Sequence, residues 1–382
     1  MRVTRVMTTR TAPLIALALA TSTLAACGSP GPVEEPPLSQ EALAAVTADP
    51  GAPTRPLARA ADDLFTLDGL GETRALIVYH GGKPAVERYA PGYDETTRFV
   101  SWSMAKTVTA LMIGMLVADG QLRLDAPAPV PRWQRTGDPR AEITLRHLLQ
   151  MRAGLEHTEA GDPPYESGEV RMLFLDGRDD MADYATAQPL EAEPGERFEY
   201  SSNTTVILAD IAARALTDSK DPDERREAVA DYLEARLFGP LGMTSAVPEF
   251  DRAGTLIGGS LIHATARDWA KLGELLRNKG SYRGEQLVPR QWVDEMIEPS
   301  PKSPHYGLQT WLNRPLPEGE EHPLFPDRAP HSAFSLIGHM GQYVFVSPTQ
   351  KLTVVRLGHS NREERIAMLR QLADVIELYP ET

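Results

Sequence analysis

The chain of 382 residues has a single cysteine, Cys27, and a net charge of −14. One cysteine excludes an internal disulfide and any thiolate cluster for zinc or iron–sulfur. The acidic balance argues against nucleic acid or anionic lipid as the main partner, because a polyanion would be repelled. Hydrophobic residues make up 42% and charged residues 24%, which is ordinary for a globular protein with a sizeable core and excludes a multi-span membrane protein.

The first 26 residues have the layout of a secretory signal peptide. Positive charge lies within residues 1–10, and a short apolar run rich in alanine and leucine follows at 12–26. The run ends in Leu-Ala-Ala-Cys at 24–27, which resembles the lipobox of bacterial lipoproteins. That resemblance implies cleavage before Cys27, a diacylglycerol on its sulfur, and lipid anchoring to a bacterial membrane in the cell envelope, outside the cytoplasm. An incidental cysteine after an ordinary signal peptide is the alternative.

The next segment is predicted to be a disordered tether, 27–60. Seven prolines lie between residues 28 and 59, among scattered acids and small residues. Such a composition buries too little apolar surface to offset its ordering entropy. The folded domain is therefore expected to span 61–382, beginning near Asp62.

Strand patterns occur at both ends of this domain, and helical patterns occur between them. Two strand-like runs, 75–79 and 85–89, flank a Gly-Gly turn and predict a hairpin. Further strands are predicted at 343–346 and 352–356. A buried helix is expected at 102–117, and helices dominate the region of about 120–245. We therefore expect an α+β fold in which both chain ends build one sheet and a mainly helical region is inserted.

The segment 103–106, Ser-Met-Ala-Lys, is the only place where lysine follows serine by three. One helical turn would bring Ser103 and Lys106 within reach of each other. Serine needs a base to act as a nucleophile, and a lysine among apolar residues loses proton affinity and can serve as one. The structural alternative is a helix-capping Ser101 or Ser103, with Lys106 extending to solvent. Ser101 is the weaker nucleophile candidate.

A second candidate group is Pro-Gly-Glu-Arg-Phe-Glu-Tyr-Ser-Ser-Asn at 194–203, which leads into a predicted helix. Tyr200 could point into a cleft, where a neighbouring cationic lysine would lower the phenol pKa and let it carry protons. Ser202 or Asn203 could assist it. Alternatively, Tyr200 packs beneath the loop and the polar residues that follow only cap the helix.

The third group, Gly-His-Met-Gly-Gln at 338–342, directly precedes a predicted strand. A backbone N–H on such a strand can complete an oxyanion hole, and the Gly341–Gln342 pair allows close approach of a ligand. We expect the N–H groups of Ser103 and Gln342 to hold the oxyanion, with His339 lining the pocket. A tight turn with a surface histidine is the alternative.

The three groups in this order resemble the β-lactamase-related serine hydrolases, and the likeness runs from about residue 70 to residue 360. This superfamily includes class C β-lactamases, D-alanyl-D-alanine carboxypeptidases, family VIII esterases and 6-aminohexanoate-dimer hydrolases. The run 100–106 and the Gly-Gln pair are most similar to the last branch. The resemblance implies a β-lactamase/transpeptidase-like fold with an antiparallel sheet flanked by helices. It also implies that Ser103, Lys106 and Tyr200 are catalytic.

Two departures favour an esterase or amidase over a dedicated β-lactamase. The class C pattern Tyr-x-Asn becomes Tyr-x-Ser here, and the third motif begins with His339 instead of lysine. Histidine is neutral much of the time near pH 7 and is a weaker partner for a substrate carboxylate. We expect a small ester, amide or peptide substrate, no cofactor and no metal. A β-lactamase, a D-Ala-D-Ala carboxypeptidase and a non-catalytic cell-envelope binding protein are the alternatives.

Overall fold

A computed structural model describes residues 37–316 and 323–382, and Leu38–Thr382 form one compact unit. The predicted signal peptide, the lipidation site Cys27 and the first part of the predicted tether, 27–36, lie outside the described residues.

The helices of the described residues are α1 Gln40–Ala44, α2 Thr54–Thr66, α3 Ala105–Ala118, α4 Leu145–Leu149, α5 Gly168–Phe174, α6 Met181–Ala187, α7 Ser202–Leu216, α8 Pro222–Leu233, α9 Gly239–Leu241, α10 Ala266–Arg277, α11 Arg290–Met296 and α12 Arg362–Glu377. The strands are β1 Glu72–His80, β2 Lys83–Tyr89, β3 Arg98–Val100, β4 Val247–Pro248, β5 Ile262–Thr265, β6 Ser281–Tyr282, β7 Glu285–Gln286, β8 Trp311–Leu312, β9 Phe334–Gly338, β10 Gln342–Ser347 and β11 Leu352–His359. Short 3-10 turns cover Trp102–Met104, Pro131–Trp133, Pro139–Glu142 and Pro164–Glu166, and a π-helical turn covers Glu234–Phe238.

A six-stranded antiparallel sheet in the order β2-β1-β11-β10-β9-β8 forms the centre of the molecule. β1, from the beginning of the folded unit, pairs with β11, near its end; Ile77 lies opposite Val355. The predicted α+β architecture, with one sheet built from both chain ends, is confirmed. β10 is buried along its whole length, as expected of a central strand covered on both faces.

Helices cover both faces of this sheet. Helices α2 and α12 pack on each other on one face, above a core that includes Leu57 and Leu372. On the other face, α10 packs on β10 and β11, and the core continues into α3 and α7. Helix α3 is buried on nearly every side, which agrees with the uniformly apolar sequence of its central turns.

The prediction of a disordered tether up to residue 60 is wrong for its second half. Helices α1 and α2 are ordered, Val46 bridges to Val86 on the sheet, and Leu57 is fully buried. Proline is tolerated in the first turn of a helix, so Pro56 does not interrupt α2. The apolar residues of α2 recur at helical spacing and cover the sheet, so these residues offset their ordering entropy by burial.

Every named element between Asp119 and Leu241 is helical, in agreement with the predicted helical region. A small sheet in the order β3-β5-β4 joins this region to the nucleophile segment. Within the ranges described, no helix is both long and apolar enough to span a membrane.

Candidate active site

The segment around Ser103 is held between β5 and α3. Ser103 lies in the 3-10 turn that precedes α3, and this turn follows directly from β3. The N–H of Ser101 donates to the carbonyl of Ile262 (2.9 Å), and the Ser101 hydroxyl accepts from the Ile262 N–H (3.1 Å). Ser101 is fully buried and therefore has a structural role, whereas Ser103 borders a cavity.

Lys106 meets Ser103 as its spacing predicts. Ser103 lies in the 3-10 turn and Lys106 in the first turn of α3, one helical turn apart, and Lys106 Nζ lies 3.0 Å from Ser103 Oγ. The same nitrogen donates to Ser202 Oγ (2.7 Å) and to the carbonyl of Gly259 (2.8 Å). The contact with Gly259 could not be predicted from local sequence patterns, because it depends on the turn that precedes β5.

The surroundings of Lys106 lower its proton affinity. Its side chain is 1% exposed. Burial lowers the pKa of Lys106 below its ordinary value, although the carboxylates of Glu159 and Glu169 oppose that shift. A neutral amine has two N–H donors and one lone pair. Ser202 and the Gly259 carbonyl can accept the two donors, which leaves the lone pair for the Ser103 hydroxyl proton.

Tyr200 contacts both Lys106 and Ser103. Lys106 Nζ lies 4.8 Å from the centre of the Tyr200 ring, and the Ser103 side chain forms a hydrogen bond with the phenol. The predicted fall in its pKa is wrong. Burial, together with the charge of Glu159, raises the pKa of Tyr200 well above 10. Tyr200 is therefore a neutral phenol near pH 7, able to relay a proton but not to act as a preformed phenolate.

Of the two candidate partners of Tyr200, Ser202 contacts Lys106. Ser202 occupies the first turn of α7, and Ser201 caps the helix by accepting from the Thr204 N–H (3.2 Å). Asn203 is buried, 3% exposed, and its Oδ1 has no hydrogen-bond partner among the described residues. The structure therefore brings Ser202, and not Asn203, to the lysine.

Two carboxylates that the sequence analysis missed complete this cluster. Glu159 Oε1 lies 2.6 Å from Ser202 Oγ, and Glu169 Oε1 lies 3.1 Å from the same atom. His157 Nε2 lies 2.6 Å from Glu159 Oε2. Glu159 lies in the loop that leads to α5, and Glu169 lies in the first turn of α5. Acidic residues are common on surface loops and in the first turns of helices, so neither glutamate indicates a functional site in the sequence.

The third predicted group lies on a hairpin whose first strand, β9, the sequence analysis also missed. Gly338 ends β9 directly beside the nucleophile segment, and a Cβ on it would lie 2.3 Å from the Ser101 carbonyl oxygen. This close approach requires glycine. Of the two strands, β9 therefore faces the site, with β10 behind it.

Gln342 and Gly341 do not lie where the sequence predicted. Gln342 is 3% exposed, lies opposite Gly338 in the central sheet, and its side chain binds the backbone of Gly358. Gln342 is not among the residues that line the cavity bordered by Ser103, so its N–H is not placed to hold an oxyanion there. Gly341 forms the hairpin turn with φ +81°, and its carbonyl accepts from the buried Arg356 (2.8 Å). Both residues shape the hairpin and do not line the cavity.

His339 does line the cavity, as predicted. It is exposed at the rim, and its ring packs edge-on against Trp102, with centroids 5.3 Å apart. Partial burial and the charges of Arg365 and His359 lower its pKa, so its imidazole is mostly neutral near pH 7. Its backbone N–H makes no hydrogen bond within residues 37–316 and 323–382. His339 is the first residue after β9 and lines the same cavity as Ser103.

The cavity above Ser103 has a volume of about 540 Å³. Its wall is mainly apolar and includes Trp102, Val170, Leu173, Phe174 and Ile337. Glu159, Glu169 and Arg365 are the charged side chains among its described lining residues. A volume of this size suits a small-molecule substrate.

A second cavity of about 540 Å³ lies in the helical region, and its lining includes Asp210 and Arg214 of α7. Its charged lining residues pair with one another: Asp210 accepts from Arg225 and Arg214, both at 2.7 Å. These ion pairs account for the polar lining of the second cavity. None of the candidate catalytic residues lines it.

Comparison with known proteins agrees with this geometry. Residues 72–377 match the beta-lactamase family. A 6-aminohexanoate-dimer hydrolase of Paenarthrobacter ureafaciens is 26% identical over 65% of this chain and 64% of its own length. Esterase EstB of Burkholderia gladioli is 31% identical over 41% of each chain. The chain thus spans less than two thirds of the length of these two relatives.

Solved structures share the fold. A putative 6-aminohexanoate-dimer hydrolase from Bacillus anthracis superposes with a TM-score of 0.63 at 24% identity, covering 81% of both chains. A family VIII carboxylesterase gives a TM-score of 0.61 at 15% identity, covering 86% of this chain and 98% of its own. With most of the folded unit matched to one family, this chain belongs to the beta-lactamase family of serine hydrolases.

Proposed function

We propose that this protein is a serine hydrolase that cleaves an ester or amide bond through an acyl-enzyme on Ser103. The observation that carries the proposal is the 3.0 Å contact between Ser103 Oγ and a buried lysine whose other hydrogen bonds leave a lone pair for the serine proton. Two relatives support the reaction class, since one is named a dimer hydrolase and the other an esterase.

In the proposed reaction, Ser103 Oγ attacks the substrate carbonyl carbon while its proton moves to Lys106 Nζ. The carbonyl π electrons move to oxygen, and a tetrahedral intermediate forms. Tyr200, hydrogen-bonded to Ser103, relays the proton from Lys106 to the leaving oxygen or nitrogen as the scissile bond breaks. Water then attacks the acyl-enzyme by the reverse proton path and regenerates Ser103.

The oxyanion is assigned to the backbone N–H groups of Ser103 and His339. Ser103 lies in the 3-10 turn that leads into α3, at the end of the helix where backbone N–H groups and the helix dipole favour negative charge. The His339 N–H has no acceptor among the described residues, and His339 lines the same cavity as Ser103. This assignment replaces Gln342 with His339, three residues earlier. Donors of this kind typically contribute roughly 10²–10³-fold to the rate.

The wall of the cavity favours a neutral, apolar acyl group. Val170, Leu173 and Phe174 line one side, and Trp102 lies beside the nucleophile. Burial of each methylene contributes about 0.8 kcal/mol, so a chain of several carbons would gain affinity along this wall. The carboxylate of Glu159 disfavours an anionic group near Ser103, because like charges repel.

A second candidate, a β-lactamase or D-Ala-D-Ala carboxypeptidase, is favoured by one residue. Arg365 lies among the cavity-lining residues and is a permanent cation that a substrate carboxylate could reach. Its position on α12 contrasts with the mostly neutral His339. Nitrocefin turnover equal to ester turnover would favour this candidate over the first.

We also propose that Cys27 carries the lipid that holds the protein at a bacterial membrane. The support is the sequence pattern at 24–27. The Cys27→Ser variant should leave the membrane fraction or accumulate uncleaved. Unchanged partitioning would overturn the lipid anchor without affecting the hydrolase proposal.

The hydrolase proposal is tested with p-nitrophenyl esters and a fluorophosphonate probe. Wild-type protein should hydrolyse p-nitrophenyl butyrate and take up the probe, whereas Ser103→Ala should do neither. Ser101→Ala is the matched control, because it removes a neighbouring serine that the geometry assigns to structure; it should keep the label. Labelling that persists in Ser103→Ala would contradict the proposal, and an unlabelled wild type without turnover would favour a binding protein.

A further inference from the structure

Ser202 Oγ is the atom through which Lys106 and two carboxylates meet. It accepts from Lys106 Nζ at 2.7 Å and lies 2.6 Å from Glu159 and 3.1 Å from Glu169. A serine hydroxyl has one proton and two lone pairs. It can therefore donate to only one of the two carboxyl groups, and the other contact is repulsive unless that carboxyl carries a proton of its own.

The contacts of Glu159 identify it as the ionised member. The Ser202 backbone N–H, at the first position of α7, donates to Glu159 Oε2 (2.7 Å). Helix N-termini favour negative charge. Lys106 Nζ lies 3.8 Å from Glu159 Oε1, so a lysine ammonium would be stabilised by this carboxylate.

His157 supplies a further donor to Glu159. Its side chain is 1% exposed and its Nε2 lies 2.6 Å from Glu159 Oε2. Its Nδ1 has no partner among the described residues, so Nε2 is the ring nitrogen that donates, and it donates to Glu159. Three donors thus converge on Glu159, as an ionised carboxylate requires.

Glu169 has no such set of donors within the described part of the chain and fits the protonated member. If it holds a proton, it can donate to Ser202 Oγ, and every hydrogen-bonding position of that hydroxyl is then used. Burial and the nearby charge of Glu159 raise the pKa of Glu169 to about 7, which agrees with the hydrogen-bond pattern. Other titratable groups that face the pair are Tyr200, Tyr306 and His339.

We propose that Glu159 and Glu169 are unequal positioning residues for the proposed hydrolytic reaction: ionised Glu159 stabilises the ammonium that forms when Lys106 takes the Ser103 proton, and protonated Glu169 fixes Ser202 between them. The proposal rests on the assignment of Lys106 as the base of the proposed function. No atom of either glutamate forms a bond to the substrate.

The two glutamine variants distinguish the two roles. Glutamine at position 169 keeps a donor toward Ser202, as the protonated acid does, so Glu169→Gln should cost little. Glutamine at position 159 removes the charge. Glu159→Gln should lower kcat/KM for p-nitrophenyl butyrate at neutral pH by about tenfold or more and move the acid limb of the pH profile to lower pH by about one unit or more, because Lys106 loses proton affinity.

The wild-type profile should also show a break near pH 7 from Glu169, which Glu169→Gln should lack. Glu166→Gln, an exposed neighbour on the short turn before α5, is the matched control and should leave kinetics unchanged. A merely structural role would lower kcat/KM at every pH without moving the limb. Equal losses in both variants with unmoved limbs, or a larger loss in Glu169→Gln, would overturn the proposal.

The pH dependence of fluorophosphonate labelling provides a second readout, since it needs the nucleophile and its base but no particular ester. Melting temperatures show whether each variant is folded. If Ser103→Ala is still labelled, the proposed function fails. If labelling depends on Ser103 but its pH limb is the same in Glu159→Gln as in the wild type, the glutamate proposal alone fails.

Discussion

The two walls of the cavity are built in different ways. The sheet wall consists of 337–340, at the end of β9, and approaches the nucleophile through backbone, with Gly338 against the Ser101 carbonyl. The helical wall consists of 169–174 on α5 and offers side chains, and its last residue, Phe174, is 48% exposed. Backbone contacts fix the geometry of the reaction, whereas side chains on a short helix can vary with the substrate. We therefore expect changes near the sheet wall to abolish activity and changes in the helical wall to alter selectivity.

The largest effect is expected at Lys106, which lies beneath both walls. Lys106→Arg keeps a cation but replaces a group that can accept a proton with one that cannot. We expect kcat/KM to fall by roughly 10³-fold, within the range of general-base catalysis. Because burial lowers the lysine pKa, wild-type activity should fall as the pH is lowered and the amine becomes protonated. A pH–rate profile of both proteins checks this, and a variant with near-wild-type turnover would contradict it.

Gly338→Val should displace the sheet wall from the nucleophile segment. The new side chain would overlap the Ser101 carbonyl oxygen and push β9 away from Ser103. We expect a loss of roughly 10²-fold or more in kcat/KM and a cost of about 1–3 kcal/mol in the free energy of unfolding. Kinetics and chemical denaturation measure the two effects.

Gly81→Ala is the control for the stability part. Its φ is +57° and no atom lies within 4 Å of the added Cβ, so it strains a remote turn without a clash. It should lower stability and leave kcat/KM unchanged. Normal activity in Gly338→Val would mean that β9 does not position the nucleophile.

A substitution in the helical wall should alter the selectivity for acyl-chain length. Leu173→Trp fills part of the cavity, so the ratio of kcat/KM for p-nitrophenyl octanoate to that for the butyrate should fall by about tenfold. Leu175→Trp is the matched control, because Leu175 is 46% exposed and does not line the cavity. Equal ratios in the wild type and the Leu173 variant would show that the acyl chain lies elsewhere.

The smallest effect is expected at His339. Replacing it with lysine adds a permanent cation at the exposed rim, where screening limits its contribution to about 1 kcal/mol, or about fivefold. That gain should appear for nitrocefin and not for p-nitrophenyl butyrate. His331→Lys, which adds the same charge on an exposed loop outside the cavity, should change neither. A wild-type kcat/KM for nitrocefin equal to that for p-nitrophenyl butyrate would contradict this role of charge at position 339.

Local patterns were sufficient to predict much of the fold. Alternating and uniformly apolar runs identified β1, β2, β10, β11 and α3, and the fixed spacing of Ser103 and Lys106 predicted their contact. The ordered helix α2 was missed, because the prolines that precede it and its own charges dominate the composition, while its buried face is apolar only at helical spacing.

Contacts between distant segments could not be predicted from the sequence. Glu159 and Glu169 reach Lys106 through Ser202 only because the loop before α5 folds over the start of α7. The approach of β9 to the nucleophile segment was not predicted, since this short strand gives no alternating pattern and Gly338 is recognised only by what a side chain there would meet. The raised pKa of Tyr200 likewise depends on burial and on Glu159.

The most direct test of the central claim is mass spectrometry of the acyl-enzyme. Wild-type protein mixed with p-nitrophenyl octanoate and quenched in acid should gain the mass of one acyl group, and peptide mapping should place it on Ser103. Ser103→Ala should gain none. An adduct on another residue, or full ester turnover by Ser103→Ala without an adduct, would contradict the account.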